Sequence, residues 1–551
     1  MIGTRYTEEL INDYVGQGFW HPTLLTADLC DRCARELPSK EAVVDVKTRL
    51  TWREVNLQID KIARGLRDLG FEKDDVLATQ LPNSVEYFLL FFAAEKAGVS
   101  IVSAQPTFRH AEMESILLQT KAKGIVITRK FRDIDYFDMV QEIRPGLPDL
   151  KHIIIAGDDV PEGTISLTEL MSRDLENKYP PSYFQKFRFK PWEVTRIFNT
   201  SGTTGIPKCV EWPPAPRLYA GRIMIERLNL QEDDIILAGW NLTSGGVSLL
   251  ARVCIPMVGA KLVNLEHFTP RDTCEMIQRE KVTVLALVPA QIAMLVDYPD
   301  LDRYDLSSVR VIFTGTQLLT YELGARAEEK LGCRVVKIYG SGDTSAISTT
   351  SFNDTQEVRL ATVGFPVPGN EVMIIDGEGN PSPPGEIGEV RAKGPALASG
   401  YYGHPEITAE LWQDGWIATG DAGKIDEAGH VVLLGRKRDV IIRGGQNIYP
   451  SEIENLLMRH PGVKDVSIVR MPDPIMGEKQ CAYVVPAEGQ TFDFEDMTGF
   501  LKSKRIAPYK LPERLEILSE LPMVPAANKV DKDSLEADIA QKLEEENQRK
   551  R

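Results

Sequence analysis

Cysteine is scarce and scattered in this sequence. Only seven of the 551 residues are cysteines, and five of them stand alone. An odd, dispersed set is typical of reduced thiols and excludes a disulfide framework. Cys30 and Cys33 form a C-x-x-C pair, but no second pair or closely spaced histidine follows, and the surrounding residues have helical character. We interpret these two as cysteines packed in a helix, with a metal or redox site as the alternative.

Long apolar runs and an excess of positive charge are also missing. The most apolar window, residues 282–296, contains Thr283, Pro289 and Gln291 and is too short to span a bilayer. The first residues lack the basic-then-apolar pattern of a signal peptide, so we expect a cytoplasmic protein. The 64 basic and 80 acidic residues give a net charge of −16. This balance argues against a general binder of nucleic acid or of anionic membranes.

The residues that are present predict a folded α/β chain. Hydrophobic residues make up 43% and charged residues 26%, which excludes disorder. Short β-rich runs alternate with helical patterns over most of the first 370 residues. The alternation predicts parallel sheets covered by helices. The predicted strands are residues 76–80, 124–128, 152–156, 282–287 and 309–313, and a predicted helix at 84–97 ends at Gly98.

Two changes in composition and in the pattern of predicted elements suggest further domains. From about Gly364 to Gly435 the chain is rich in Gly/Pro turns and short strands, which predicts a small β-subdomain. After residue 437 the pattern restarts as a compact α+β unit, where Ser451 and Glu454 suggest a capping box at the start of a helix. We therefore predict a large N-terminal domain of parallel-rich sheets layered with helices, residues 1–437, and a smaller mobile α+β domain, residues 438–551.

The segment 198–208, FNTSGTTGIPK, is the most informative stretch. Its glycines let successive backbone N–H groups converge on an anion, its hydroxyls add donors, and a lysine adds charge. Strand-like residues flank it on both sides, unlike a Walker loop, which opens a helix. By itself such a loop is either a surface turn or a phosphate site.

In this order, T-S-G-T-T-G-x-P-K, the loop resembles that of the adenylate-forming (ANL) superfamily of acyl- and aryl-CoA ligases, peptide-synthetase adenylation domains and luciferases. Further motifs agree in order along nearly the whole chain. They are K-A-G at 96–98, Y-G-S-G-D at 339–343, T-V-G-F-P at 362–366, T-G-D at 419–421, G-R-K-R-D at 435–439, G-G-Q-N-I-Y-P-S-E-I-E at 444–454 and N-K-V at 528–530.

The resemblance implies that ATP and a carboxylate give an acyl-adenylate and pyrophosphate. Lys529, Arg436 and Lys208 are then the expected catalytic residues, with Lys529 bridging the acid and the α-phosphate. Asp421 is expected to accept hydrogen bonds from the ribose, and Tyr339 to stack on adenine, although any such tyrosine can simply be core. The remaining expected nucleotide-binding residues are Thr200, Ser201, Gly202, Thr203, Thr204, Gly205, Gly315, Thr316, Gln317 and Gly340.

The resemblance also implies Mg²⁺, which neutralises polyphosphate charge. Asp343 stands where the family has its metal-binding Glu, one methylene shorter. Three other positions depart from the family pattern. Gly342 replaces a Thr, and Cys209 and Asn528 each replace a Gly.

A second half-reaction, attack of a thiol on the adenylate, is implied as well. The small domain is expected to rotate about the hinge residue Arg438 and to present Gly444 and Gly445 to the pantetheine tunnel, although two glycines also suit a plain hairpin turn. No carrier segment follows Arg551, so we expect an external acceptor, coenzyme A in the simpler case and a carrier protein in the alternative.

The acid is expected to meet Trp240, Asn241, Gly245 and Gly340. Related dihydroxybenzoate activators have His-Asn where this chain has Trp240-Asn241. An indole makes that wall larger and less polar, which favours a compact cyclic acid, either aromatic or alicyclic. Trp240 as a core aromatic without substrate contact is the alternative.

The sequence thus predicts an AMP-forming carboxylic acid–CoA ligase. Its partners are a small carboxylic acid, ATP and coenzyme A, without nucleic acid or a membrane span. A stand-alone aryl-acid adenylase that loads a carrier protein and a non-catalytic ATP-binding regulator are the alternatives.

Overall fold

The computed structural model describes residues 1–200, 207–444, 446–504, 506–524 and 529–549. Helices and strands alternate through the N-terminal part, as the sequence predicts. None of the helices in the described part of the chain has the length and apolar character needed to cross a membrane. The α-helices are Glu8–Gly16, Thr26–Glu36, Trp52–Asp68, Val85–Ala97, His110–Thr120, Tyr136–Ile143, Leu167–Ser172, Pro214–Leu228, Gly245–Leu249, Ile255–Val258, Pro270–Glu280, Pro289–Val296, Tyr321–Leu331, Gln356–Ala361, Pro405–Leu411, Pro450–Leu457, Phe494–Ser503 and Lys532–Arg549.

Two largely parallel sheets form the N-terminal part. In spatial order, the first contains Phe365–Pro366, Ser348–Thr349, Arg334–Tyr339, Val311–Thr314, Val284–Ala286, Ile235–Ala238, Lys261–Asn264, Glu41–Val44 and Arg49–Thr51. The second contains Lys208–Trp212, Arg196–Thr200, Ser100–Ser103, Val76–Gln80, Gly124–Ile127, His152–Ile155 and Ile165–Ser166. Antiparallel pairs occur only toward the edges of each sheet in these described strands. The predicted parallel-rich, helix-layered fold is therefore confirmed.

Both sheets share one hydrophobic core. Leu77 and Ile101 of the second sheet lie in the same buried cluster as Ile236 and Val284 of the first. The helix Val85–Ala97 is buried along almost its whole length within this cluster. Burial on all sides explains why its apolar residues are spread around the helix and do not form one stripe.

Local signals fixed the ends of that helix. The Ser84 hydroxyl accepts a hydrogen bond from the backbone N–H of Tyr87, and Gly98 adopts φ +78° directly after the helix. A serine N-cap and a left-handed glycine are the usual end signals of a helix. The predicted helix and its glycine stop are both confirmed.

Smaller sheets follow. Glu371–Ile375, Gly388–Lys393, Trp416–Ile425, Trp412–Gln413 and Val431–Arg436 form an antiparallel sheet inside the predicted β-subdomain. The C-terminal part, which we call the lid, carries Gln446–Ile448, Ile441–Arg443, Gly477–Pro486, Val463–Asp473 and Arg514–Ile517 around a separate core. Short ribbons pair Lys130–Phe131 with Ile134–Asp135 and Met523–Val524 with Lys529–Val530. The boundary after residue 437 stays a prediction, and it falls inside the 3₁₀ turn Lys437–Asp439.

The predicted capping box at Ser451 is wrong. The helix begins at Pro450 after Tyr449, so Ser451 lies inside its first turn. The Ser451 hydroxyl donates instead to the backbone carbonyl of Leu434, in the strand before the lid. Proline at the first helical position supplied the start signal, because its missing N–H is not needed there.

Candidate functional site

The predicted phosphate loop joins two paired strands. Arg196–Thr200 and Lys208–Trp212 run antiparallel, and Thr200 lies opposite Lys208 where the ribbon opens. The expectation that the loop lies between strands is confirmed. Ser201, Gly202, Thr203, Thr204 and Gly205 lie outside the described residues. The ammonium of Lys208 lies 5.4 Å from the ring centre of Tyr401.

The side chain of Asp343 is buried near Lys208 and Tyr401. Its Oδ1 is buried and has no hydrogen-bond partner in the described part of the chain. Burial raises the pKa of Asp343, and the Tyr401 hydroxyl and the charges of Lys208 and Arg436 lower it. No cluster of three or more metal-ligating side chains occurs among the described residues. A metal bound by one carboxylate oxygen with phosphate and water, as Mg²⁺ prefers, fits this arrangement.

Packing against two stacked aromatic rings explains why residue 342 is a glycine. The rings of Phe198 and Trp212 are parallel, with centroids 4.5 Å apart, and the Trp212 indole N–H donates to the Gly342 carbonyl at 2.9 Å. A Cβ atom on Gly342 would lie 2.3 Å from Cε1 of Phe198 and 2.7 Å from Cγ2 of Thr200. The family's threonine therefore does not fit here, and the departure follows from packing.

An Asp–Arg–Tyr network lies beyond the end of the first sheet. Asp421 and Arg436 are cross-strand partners, and their Oδ1 and Nη1 atoms are 2.9 Å apart. The Tyr339 hydroxyl donates to Oδ2 of Asp421 at 2.8 Å. Burial raises the pKa of Asp421, and Arg436 opposes that effect. Stacking of the Tyr339 ring on adenine stays a prediction.

Lys529 reaches the same network from the lid. It begins the strand Lys529–Val530, which pairs with Met523–Val524. Burial lowers the pKa of the Lys529 ammonium, Arg436 lowers it further, and Asp421 raises it. The charged groups of Asp421, Arg436 and the lid residue Lys529 thus lie close together, although at least about 90 residues separate Lys529 from the two others along the chain.

Contacts on either side of the hinge hold this lid position. Arg438 lies in the turn Lys437–Asp439, and its carbonyl accepts a hydrogen bond from the lid residue Arg470. Arg459 of the lid pairs with Glu322 of the helix Tyr321–Leu331 at 2.6 Å. Of the two contacts, the Arg459–Glu322 pair joins the lid to the N-terminal part.

Gly444 lies elsewhere on the lid. It is exposed, adopts φ +54°, and its N–H donates to the carbonyl of Met476 at 2.8 Å. No contact of the described residues joins it to Lys208 or Asp421, so the structure does not bring these groups together. Gly445 lies outside the described residues.

The predicted nucleotide-binding glycines are sites of close backbone packing. A Cβ on Gly340 would lie 1.6 Å from the Ser345 carbonyl oxygen, so no other residue fits there. A Cβ on Gly315 would lie 2.9 Å from the Ile338 carbonyl oxygen. Thr316 has φ +73°, a strained conformation for a β-branched residue, and Gln317 beside it is half-buried.

Trp240 is buried beside Gly315. It follows the strand Ile235–Ala238, is 4% exposed, and its ring is roughly parallel to that of Phe313 at 6.1 Å between centroids. The far edge of its indole lies 2.8 Å from a Cβ built on Gly246 and 3.5 Å from one built on Gly315. The indole therefore fills space that two glycines leave open.

Asn241 and Gly245 lie in the turn that follows. The Asn241 side-chain oxygen accepts from the Thr243 N–H at 3.0 Å, so it is engaged in a local turn. The carbonyl of Gly245 accepts from Nη2 of Arg217 at 3.0 Å, and a Cβ on Gly245 would lie 3.1 Å from Trp212.

Sequence reasoning missed two residues that shape the site. Asn83 donates to the Trp240 carbonyl at 3.0 Å and accepts from the Leu242 N–H at 2.8 Å, so it fixes the turn that carries the indole. Tyr401 contacts both Asp343 and Lys208. The L-P-N motif at 81–83 and S-G-Y at 399–401 were visible in the sequence, but nothing local assigned their contacts.

Comparisons with known proteins agree with this geometry. The family model for AMP-binding enzymes matches residues 30–402, and the model for the C-terminal domain of AMP-binding enzymes matches residues 452–529. The chain is 29% identical over 547 residues to the medium-chain fatty-acid–CoA ligase of Escherichia coli (strain K12), covering 98% of this chain and 95% of that protein.

A second relative and a solved structure extend the likeness. The 2,3-dihydroxybenzoate-AMP ligase of Bacillus subtilis (strain 168) is 29% identical over 548 residues, with 98% of both chains covered. The amide bond synthetase McbA of Marinactinospora thermotolerans superposes with a TM-score of 0.83 at 26% identity, covering 94% of this chain and all of that one. The family models together match most of the chain, and so this protein belongs to the AMP-binding enzyme family and is an adenylate-forming ligase of the ANL superfamily.

Proposed function

We propose that the protein is an AMP-forming carboxylic acid–CoA ligase for a compact cyclic acid. One observation supports the proposal most strongly. The lid residue Lys529 lies near Asp421 and Arg436, and Asp343 lies near Lys208 and the same Arg436. A nucleotide-binding protein without catalysis has no need of a buried lysine delivered by a separate lid.

In the first step, an oxygen of the acid's carboxylate attacks the α-phosphorus of ATP. A new O–P bond forms, the bond to the β-phosphate breaks, and pyrophosphate leaves. Two anions must approach each other, so positioned cations do most of the catalytic work. Lys529 and Arg436 bring positive charge to the reacting groups, and Lys208 holds the departing pyrophosphate.

Asp343 would hold Mg²⁺ through Oδ1, which has no hydrogen-bond partner among the described residues. When bound, the ion neutralises polyphosphate charge and keeps most of its remaining ligands as water and phosphate oxygens. The side chain is one methylene shorter than glutamate. The absence of a side chain at Gly342 lets this segment approach the Phe198 ring and Thr200 closely.

In the second step, a thiolate attacks the acyl carbon of the adenylate and AMP leaves. This step needs the exposed Gly444 hairpin to replace Lys529 in the cleft, so the lid must rotate about Arg438. Breaking the Arg459–Glu322 pair accompanies that rotation. Coenzyme A is the proposed acceptor, as for the fatty-acid ligase relative, whereas the dihydroxybenzoate-AMP ligase relative makes a carrier protein the second candidate.

The walls around Trp240 support a short, flat acid pocket. Gly246, Gly315 and Gly340 contribute no side chains, and the indole occupies the space beside the first two. Because the indole fills that space, an acid pocket beside it is short, which suits a ring and leaves little length for a fatty chain.

Pyrophosphate exchange with a panel of carboxylic acids tests the first step. We expect ATP–pyrophosphate exchange that depends on a cyclic acid and on Mg²⁺. A complete absence of acid-dependent exchange would contradict catalysis and favour a regulator. Chromatographic detection of the acyl-CoA, with a pantetheinylated carrier protein offered in parallel, then separates the two acceptors.

A further inference from the structure

Three arginine side chains meet in the interior behind Trp212. Arg196 lies on the strand Arg196–Thr200, Arg217 on the helix Pro214–Leu228, and Arg252 on the segment Leu250–Cys254. They are only 3%, 7% and 1% exposed, respectively. We call them the arginine cluster. The proposed activity uses none of them.

Among the residues that the structure describes, the arginine cluster has no acidic partner. No ion pair joins any of its members to an Asp or Glu in the described ranges. Arg196 donates to the Ser248 hydroxyl and to the Thr243 carbonyl, and Arg217 donates to the Gly245 carbonyl and the Ser345 hydroxyl. These acceptors are all neutral.

Arg252 has even fewer partners. Its Nε, Nη1 and Nη2 atoms are all buried without a hydrogen-bond acceptor in the described part of the chain. Its guanidinium carbon instead lies 4.7 Å from the ring centre of Tyr87 and 4.3 Å from that of Phe91. Ring faces attract a cation, but they do not replace the hydrogen-bond acceptors that its N–H groups need.

Such a cluster is costly without an anion. A guanidinium stays protonated in proteins, and a buried unpaired charge costs several kcal/mol. Burial lowers the pKa of Arg217 to about 9 and that of Arg196 well below its ordinary value, and Arg252 depresses both further. A ligand with negative charge removes this penalty.

The cluster surrounds a small cavity. It has a volume of about 20 Å³ and is lined by the three arginines with Phe91, Trp212 and Ser248 among others. A single water needs roughly 10–15 Å³ of such space, so the cavity as it stands admits one carboxylate oxygen beside the guanidinium groups. Arg252 lies on a π-helical turn, a local distortion that occurs frequently at functional sites.

The cavity adjoins the proposed acid pocket through Arg217. One guanidinium nitrogen bonds Ser345, whose carbonyl packs against Gly340, and the other bonds Gly245. Both glycines are predicted to line the acid pocket. A planar guanidinium fork matches the two oxygens of a carboxylate better than it matches a spherical ion.

We propose that the arginine cluster binds a carboxylate group. The ligand is either a second carboxylate on the acid that the enzyme activates or a free small carboxylate ion. Arg217 and its contacts with the pocket walls favour the first source, which makes the substrate a dicarboxylic acid. That assignment rests on the proposed function, whereas the binding site itself does not.

Thermal unfolding of the full chain without ATP tests the site directly. Sodium formate should raise the Tm saturably, by about 3 °C near 100 times its Kd, above the effect of sodium chloride at equal ionic strength. Arg252→Met should abolish the rise. Arg222→Met is the matched control, because Arg222 is exposed on the same helix as Arg217, and it should keep the rise.

The wild-type titration decides the site even if Arg252→Met does not fold. No saturable effect of formate beyond that of chloride, or an equal saturable effect of chloride, would overturn the carboxylate site.

Pyrophosphate exchange with matched acids separates the two sources. Cyclohexanecarboxylate is compared with cyclohexane-1,4-dicarboxylate, and benzoate with terephthalate. A second carboxylate on the substrate should raise kcat/KM about 10-fold or more, and Arg217→Met should remove the preference, because a buried charge left unpaired discriminates strongly. Formate binding without a dicarboxylate preference assigns the site to a free carboxylate ion. If no acid supports exchange, the proposed function fails and the formate titration alone judges the site.

Discussion

Arg359 and the arginine cluster are both buried in the N-terminal part of this protein, but they differ in whether an acidic residue pairs with them. Arg359 and Glu328 are 6% and 8% exposed by side chain and form a bidentate pair, with Nη2 2.8 and 2.9 Å from the two carboxylate oxygens. Glu328 also accepts from the Val335 N–H and from Gln356. The arginine cluster is just as deeply buried but lacks any acidic partner in the described residues.

The comparison separates charges by where their partners are. The Glu328–Arg359 pair is complete within the fold, and its task is to join the helices Tyr321–Leu331 and Gln356–Ala361. The arginine cluster, Asp343 and Lys529 leave charge or lone pairs unused, next to the proposed substrates. We therefore infer that the paired buried charge stabilises the fold, whereas the unpaired buried charges are available to bind a ligand.

The largest effect should come from breaking the complete pair. Arg359→Met should lower the free energy of unfolding by about 3–5 kcal/mol, because it leaves Glu328 buried and unpaired. Arg252→Met should not lower it, since it removes a buried charge that has no acidic partner among the described residues. Urea unfolding in chloride buffer, without carboxylates, measures both. Equal losses in the two variants would contradict the distinction.

Removal of Lys529 should instead harm activity and spare stability. Lys529→Ala should slow adenylation by about 10²-fold or more, because a preorganised charge in such a site contributes several kcal/mol to transition-state stabilisation. Its Tm should change little. Acyl-CoA formation from supplied acyl-adenylate should be much less affected, since Lys529 acts in the first step. Equal damage to both half-reactions would contradict the assigned role.

Substitution of Trp240, a neutral residue of the proposed acid pocket, should have a smaller effect, and that effect should be on substrate specificity. Trp240→Ala opens space beside Gly246 and Gly315, so kcat/KM should shift from compact cyclic acids toward bulkier ones by about 1–3 kcal/mol. The KM for ATP should stay nearly constant. Asn241→Ala is the control, because its side-chain oxygen is engaged in a turn. A uniform loss of stability and of all activities would identify Trp240 as core packing only.

The smallest effect should come from the partly exposed pair across the lid. Arg459 and Glu322 are 46% and 28% exposed by side chain, so Arg459→Gln should shift the lid equilibrium by less than about 1 kcal/mol. Adenylation should then slow slightly relative to thioester formation. Lys464→Gln, an exposed lid substitution, serves as the control. A change in that ratio beyond 10-fold would show that this pair contributes more to the lid equilibrium than a solvent-screened ion pair can.

Much of the fold was predictable because its signals are local. Ser84 and Gly98 mark the ends of a helix through capping chemistry that involves only neighbouring residues. The loop motif likewise revealed its chemistry within a few residues, and its position between strands is confirmed. At Ser451, two local signals competed, and proline at the first helical position won over the capping pattern.

The sequence by itself determined the family and the alternation of strands and helices, and it predicted Lys208, Asp421, Arg436 and Lys529 as the charged groups of the site. Only the tertiary structure decided why Gly342 cannot be threonine, because Phe198 approaches it from a different strand. Only the tertiary structure brought Arg196, Arg217 and Arg252 together, since a strand, a helix and a π-helical turn supply one each. Whether a charge has a partner depends on contacts between residues far apart in the chain, and no local pattern encodes such contacts.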